Sequence, residues 1–253
     1  MERISTREQM MKQTQRFLTA EWRDLAMVNF EIDPQLLRQR VPPGTELDTW
    51  NGRTFISIVG FRFLRTQVLG MTIPWHRNFE EVNLRFYVRR LSPEGNRRGV
   101  VFIKELVPRV AIAWVARCMY NENYIALPMR HETTLPLPDQ SGPGSVAYEW
   151  QFGSRWNRLV LSVQGMASVP AEDSEEAFIT EHYWGYVRQR DGAALEYQVE
   201  HPRWKVWRTD HVEFDCTVAE LYGSEFVPYL QGPPSSAFVA EGSAIVVHKG
   251  VRL

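Results

Sequence analysis

Glu81-Val82-Asn83-Leu84-Arg85-Phe86-Tyr87-Val88 alternates polar and apolar side chains almost without a break. Successive strand residues point to opposite faces, so Val82, Leu84, Phe86 and Val88 define one dry face and Glu81, Asn83, Arg85 and Tyr87 the other. Pro93-Glu94-Gly95-Asn96 supplies turn chemistry, and Gly99 to Val107 is a second β-rich run, so the two strands are expected to form a hairpin. A turn centred on Gly95 sets Arg85 opposite Glu105 and Glu81 opposite Arg109, two pairs of complementary charge. That register gathers Glu81, Asn83, Arg85, Tyr87, Glu105 and Arg109 on one face. They form either a polar constellation on a barrel wall or a solvated outer face whose ion pairs contribute under about 1 kcal/mol each. A one-residue slip destroys the arrangement. The same register puts Lys104 on the apolar face beside Phe86, flanked by Phe102 and Leu106. A desolvated lysine has a lowered pKa and attacks carbonyls, whereas one that snorkels to the rim or pairs with a carboxylate does not.

Similar signals recur outward from the hairpin. Thr54 to Phe63 and Leu25 to Ile32 read as strands. Asp33-Pro34 opens a short helix through Arg40, which Pro42-Pro43-Gly44 stops. Ser5-Thr6-Arg7-Glu8 has the capping-box form and predicts an N-terminal helix to about Phe17, and Pro108 opens another over Arg109 to Met119. Further strands are expected near Tyr124–Met129, Val146–Phe152, Arg158–Gln164, Tyr183–Gln189, Leu195–Val199, Val206–Val218 and Ala237–His248. A helix near Asp173–His182, capped by Asp173 or Ser174, interrupts them. About ten strands with few helices and no fixed repeat predict a mainly β protein, an antiparallel barrel or sandwich rather than a parallel α/β sheet. Leu137 to Ser145 is the most linker-like stretch and reads as a long hairpin loop, so residues 1–253 are expected to form a single domain.

The 29 Lys plus Arg nearly balance 30 Asp plus Glu, which excludes a general nucleic-acid binder. The apolar runs are far shorter than the roughly 20 residues that cross a bilayer, so no membrane partner is expected. The charged first residues lack the apolar core of a secretory signal, and Cys118 and Cys216 are too few for a disulfide framework; a cytoplasmic location is expected. Tryptophans such as Trp204 and Trp207 read as core or interface residues, since no basic stripe accompanies them. There is no G-x-G-x-x-G, P-loop, H-E-x-x-H, C-x-x-C or G-x-S-x-G pattern. The six histidines are scattered, and Glu181-His182, the one adjacent ligand pair, would diverge by about 100° on a helix. No cofactor and no metal are expected.

Phe17-Leu18-Thr19-Ala20-Glu21-Trp22-Arg23, Asn78-Phe79-Glu80-Glu81-Val82-Asn83-Leu84-Arg85-Phe86-Tyr87-Val88 and Phe178-Ile179-Thr180-Glu181-His182-Tyr183-Trp184-Gly185-Tyr186 resemble the YqjF-like family of uncharacterised bacterial proteins. That family is similar to the acetoacetate decarboxylase superfamily. The resemblance implies a closed, cone-like β-barrel with helices at its rim and a small-molecule cavity inside. It places the superfamily's site arginine on Arg23, its two carboxylates near Ser57 and Val68, and its Schiff-base lysine, after Glu105-Leu106-Val107-Pro108, on Arg109. Arginine stays protonated and cannot form the imine, so decarboxylation is not expected.

The expected ligand is a small organic carboxylate or oxo-acid, with Arg23, Arg85 and Arg109 as its partners and Glu81 and Glu105 holding them in place. An amine-catalysed lyase or hydratase using Lys104 is the alternative. A structural protein without ligand, with a homo-oligomer possible in any case, is the third.

Overall fold

The computed structural model describes residues 16–72, 77–108 and 123–253. The expected helices from Ser5 and over Arg109–Met119, and the candidate Arg109 itself, lie outside the described residues. Six strands make the first half: β1 (Arg16–Glu31), β2 (Glu46–Leu47), β3 (Phe55–Val68), β4 (Met71–Thr72), β5 (Phe79–Ser92) and β6 (Gly95–Val107). Then come β7 (Tyr124–Ala126), β8 (Met129–Thr133), β9 (Gly142–Phe152) and β10 (Arg155–Gly165), helix α1 (Glu175–Thr180), β11 (Trp184–Arg188), β12 (Ala194–Glu200) and β13 (Val206–Asp215). Helices α2 (Val218–Leu221) and α3 (Val227–Leu230) precede β14 (Ser236–His248) and β15 (Val251–Arg252). Ser174 caps α1 by accepting from the Ala177 amide, and Asp33 caps a 3-10 turn that begins at Pro34.

Strand β1 begins at Arg16, well before the expected Leu25. Asp24 sits at φ 57 and the register slips between Arg23 and Ala26, so this irregularity interrupts the alternation that a sequence reading follows. The chain is mainly β, as expected. Strands pair in the order β12-β11-β6-β5-β3-β1-β14, and β12 pairs again with β14, closing seven strands into a ring. A second layer, β13-β10-β9-β8, continues from β14. The pairings of β6 with β11 and with β7 are short and parallel, while the other ladders are antiparallel. Both connections are long enough for the crossover that parallel neighbours need. Among the described residues no helix is long and apolar enough to cross a membrane.

Two apolar clusters sit on the two faces of the ring. One draws Met27, Val59, Tyr87, Val100, Val187, Tyr197 and Phe238 from all seven ring strands, together with Phe178 and Ile179 of α1, and so lines the interior. The other, with Val28, Ile58, Leu84 and Leu106, packs beneath Tyr148, Trp150 and Leu159 of the second layer and against α2 and α3. Trp204 and Trp207 are buried core residues.

The β5–β6 hairpin forms, but its register differs from the expected one. Ser92 pairs with Gly95 across a turn of only Pro93 and Glu94, so Arg85 faces Phe102, not Glu105. Proline at the first turn position and Gly95 at φ 127 suit this tighter turn. One bulge then leaves Ile103 without a cross-strand partner, after which Leu84 faces Lys104 and Asn83 faces Glu105. The bulge returns Glu105 to the face of Glu81 and Asn83, so the face survives although the expected Arg85–Glu105 pairing does not.

Candidate functional site

The polar face of β5 is not a solvated outer wall. Glu81, Asn83 and Glu105 are 3%, 1% and 1% exposed, and Tyr87 of the same face belongs to the ring interior. Cross-strand pairing sets Ser236, Asn29, Ser57, Arg85 and Phe102 side by side across β14, β1, β3, β5 and β6. Asn29 and Ser57 thus put polar groups into strands otherwise rich in buried apolar residues. They satisfy one another: Ser57 Oγ lies 2.6 Å from Asn29 Oδ1 and 2.6 Å from the Tyr87 hydroxyl, and Asn29 Nδ2 donates to Ser236 Oγ at 2.9 Å. Ser236 in turn donates to Glu175 Oε1 at 2.5 Å, and Arg53 donates to the other oxygen of that carboxylate at 3.2 Å.

Arg85 is differently placed. It is half-buried, forms no ion pair among the described residues, and has a buried Nε with no hydrogen-bond partner. Among the described residues its hydrogen bond is a long contact of 3.5 Å from Nη2 to the Ile179 carbonyl, and its guanidinium carbon lies 5.6 Å from the centre of the Tyr87 ring. Nearby, Asn83 donates from Nδ2 to Glu81 Oε1 at 2.9 Å while its own Oδ1 is buried and has no partner among the described residues. Partnerless buried polar atoms of this kind call for an explanation.

On the other side of Tyr87 lies a pair of residues far apart in the chain. His182, just beyond α1, sets its ring tilted 4.7 Å from that of Tyr87 and edge-on 5.2 Å from that of Phe178. Its Nε2 is 3.2 Å from Asp48 Oδ2, which also accepts from Arg98 Nε at 2.7 Å. Burial works to raise the Asp48 pKa, but hydrogen bonds from His182 and Arg98 hold it down to about 2. Burial pushes the imidazole of His182 down to about 4, although its bond to Asp48 opposes this. Asp48 is therefore a carboxylate and His182 neutral at pH 7.

The remaining candidates go elsewhere. Arg23 donates to Glu21 at 3.0 Å and to the Gly242 carbonyl at 3.2 Å, at the irregular stretch of β1. Val68 ends β3, beyond the row of polar residues. Lys104 stands opposite Leu84, with Leu106 on its face but Phe102 on the other, and donates to the Leu221 carbonyl at the end of α2. Burial lowers its pKa, yet it sits on the outer side of the ring, away from Arg85 and His182. Glu181 and His182 do not act together: Glu181 accepts from the Tyr183 hydroxyl, His182 pairs with Asp48. Among the described residues no three His, Cys, Asp or Glu side chains converge as a metal would need. Sequence reasoning overlooked Asp48, Asn29 and Ser236; the visible signal was a single polar residue, such as Asn29 or Ser57, inside an apolar strand.

Comparison with known proteins places this geometry. The model of DUF2071, described as an uncharacterized conserved protein, matches residues 19–244. The uncharacterized protein YqjF of Bacillus subtilis (strain 168) is 28% identical over 216 residues, 84% of this chain and 83% of that protein. Acetoacetate decarboxylase from Legionella pneumophila superposes with a TM-score of 0.62 at 13% identity, over 94% of this chain and 87% of that one. The enduracididine biosynthesis enzyme MppR, complexed with pyruvate, superposes with a TM-score of 0.63 at 12% identity, over 95% and 91%. At such identities the likeness is one of fold, and the fold is that of acetoacetate decarboxylase.

Proposed function

The chain belongs to the DUF2071 family of uncharacterized conserved proteins, and from that premise we propose that it binds a small organic carboxylate, a 2-oxo acid, inside the strand ring. Arg85 carries this reading: among the described residues its half-buried guanidinium has no carboxylate partner, its buried Nε has no acceptor, and its contact to Ile179 is long. A planar anion would complete it, because the guanidinium fork matches two carboxylate oxygens and the low local dielectric strengthens the pairing. The fold supports the reading, since MppR holds pyruvate within the same architecture.

Thermal unfolding with increasing pyruvate tests it. Binding to the folded state alone raises Tm with concentration. The wild type is expected to show this rise and Arg85→Gln to lose most of it, while both proteins respond alike to chloride. An equal response in the two proteins, or none in the wild type, would overturn the proposal.

A further inference from the structure

Building on the reading of Arg85 as a carboxylate anchor, we propose that His182 is the general base of an enolising reaction on the bound 2-oxo acid, with Asp48 fixing its tautomer. Asp48 accepts from Arg98 Nε at 2.7 Å and lies 3.2 Å from His182 Nε2. A carboxylate only accepts, so Nε2 carries the imidazole proton and Nδ1 keeps its lone pair. That Nδ1 is buried and has no hydrogen-bond partner among the described residues, in a side chain 1% exposed. An acceptor held dry and unmet calls for an explanation.

The placement of the two groups agrees with this role. Tyr87 touches both: the His182 ring is 4.7 Å from its ring, and the Arg85 guanidinium carbon 5.6 Å. Arg85 also reaches the carbonyl of Ile179, three residues before His182. The charged groups acting on His182 are Asp48, Arg98 and Arg85; its aromatic neighbours are Tyr87 and Phe178. Burial keeps the imidazole neutral, hence in its base form, and the Arg85 charge is among the causes that lower its pKa. A carboxylate seated on Arg85 would offset that contribution, so the ligand favours rather than opposes proton uptake by His182.

The step balances within these groups. The Nδ1 lone pair takes a proton from C3 of the 2-oxo acid, the C3–H electron pair becomes the C2–C3 double bond, and the carbonyl π pair moves onto oxygen, giving an enolate. Asp48 stabilises the imidazolium. In D2O the imidazolium exchanges its Nδ1 proton for a solvent deuteron, and return of that deuteron to C3 restores the keto acid with one C3 hydrogen replaced by deuterium.

Pyruvate in D2O, followed by loss of its methyl proton NMR signal, reads this step. The wild type is expected to exchange at least about tenfold faster than protein-free buffer, at a rate that falls as His182 becomes protonated in acid. His182→Gln keeps a donor toward Asp48 but has no base; it is expected to retain the pyruvate-induced rise in Tm and exchange at the buffer rate. Asp48→Asn, which releases the tautomer, is expected to bind pyruvate and exchange at least about tenfold more slowly than the wild type. Pyruvate binding that depends on Arg85 with wild-type exchange at the buffer rate, or full exchange by His182→Gln, would overturn the role of His182 and leave the carboxylate anchor standing. Absence of pyruvate binding would overturn both.

Discussion

Ser57 Oγ lies 2.6 Å from Asn29 Oδ1 and 2.6 Å from the Tyr87 hydroxyl, inside the ring and out of reach of water. Because the amide oxygen can only accept, Ser57 donates to it, and the Tyr87 hydroxyl must donate to Ser57. Asn29 then donates to Ser236 and Ser236 to Glu175, so every donor points one way toward a carboxylate. Ser57→Ala removes the shared member and leaves a buried hydroxyl and a buried amide oxygen unmet. The expected loss is about 1–3 kcal/mol of unfolding free energy, measured in urea. A loss within about 0.5 kcal/mol, the usual range for surface changes, would show that the row is not coupled.

Acid should weaken the protein before its carboxylates titrate. The folded His182 has its pKa lowered from 6.5 to about 4, so between those values the unfolded chain takes up a proton that the folded chain refuses. Stability from this group is present above pH 6.5 and is lost as pH falls toward about 4; Asp48 continues the loss from 3.8 toward about 2. Urea midpoints measured from pH 7 to pH 4.5 are expected to fall in the wild type and to flatten in His182→Gln. A residual slope is expected from His201, whose pKa burial also lowers. An unchanged slope in His182→Gln would contradict this assignment.

Lys104 offers a sharp contrast with His182. Its amine donates to the Leu221 carbonyl on the outer side of the ring, opposite Leu84. Borohydride added with pyruvate is therefore expected to leave Lys104 unmodified, as judged by mass spectrometry of its peptide. Stoichiometric reduction there would restore the amine-catalysed alternative.

How much of this was legible in the chain differs from residue to residue. The alternation from Glu81 to Val88 fixed a strand and its two faces correctly, because one β period is a local property. The partners across the hairpin were not legible: a turn of two residues and a bulge at Ile103 each shift the register, and charge complementarity between Arg85 and Glu105 gave no hint of either. The Asp48–His182 contact joins residues 134 positions apart, and neither has a neighbour in sequence that betrays it. Asn29 and Ser57 were different, since a polar residue inside an apolar strand must find a buried partner. Such positions in Leu25 to Ile32 and Thr54 to Phe63 carried a signal of the interior row, but the sequence reading took both stretches only as strands. The resemblance placed a lost carboxylate near Ser57; the structure puts a neutral hydroxyl there, beside Arg85.

A crystal structure of the protein with pyruvate would test the carboxylate anchor most directly. Both carboxylate oxygens are expected within hydrogen-bond distance of the Arg85 guanidinium, with C3 of the ligand toward His182 Nδ1. Pyruvate bound away from the ring interior, or an Arg85 that keeps its contact with Ile179 and leaves the ligand untouched, would contradict it.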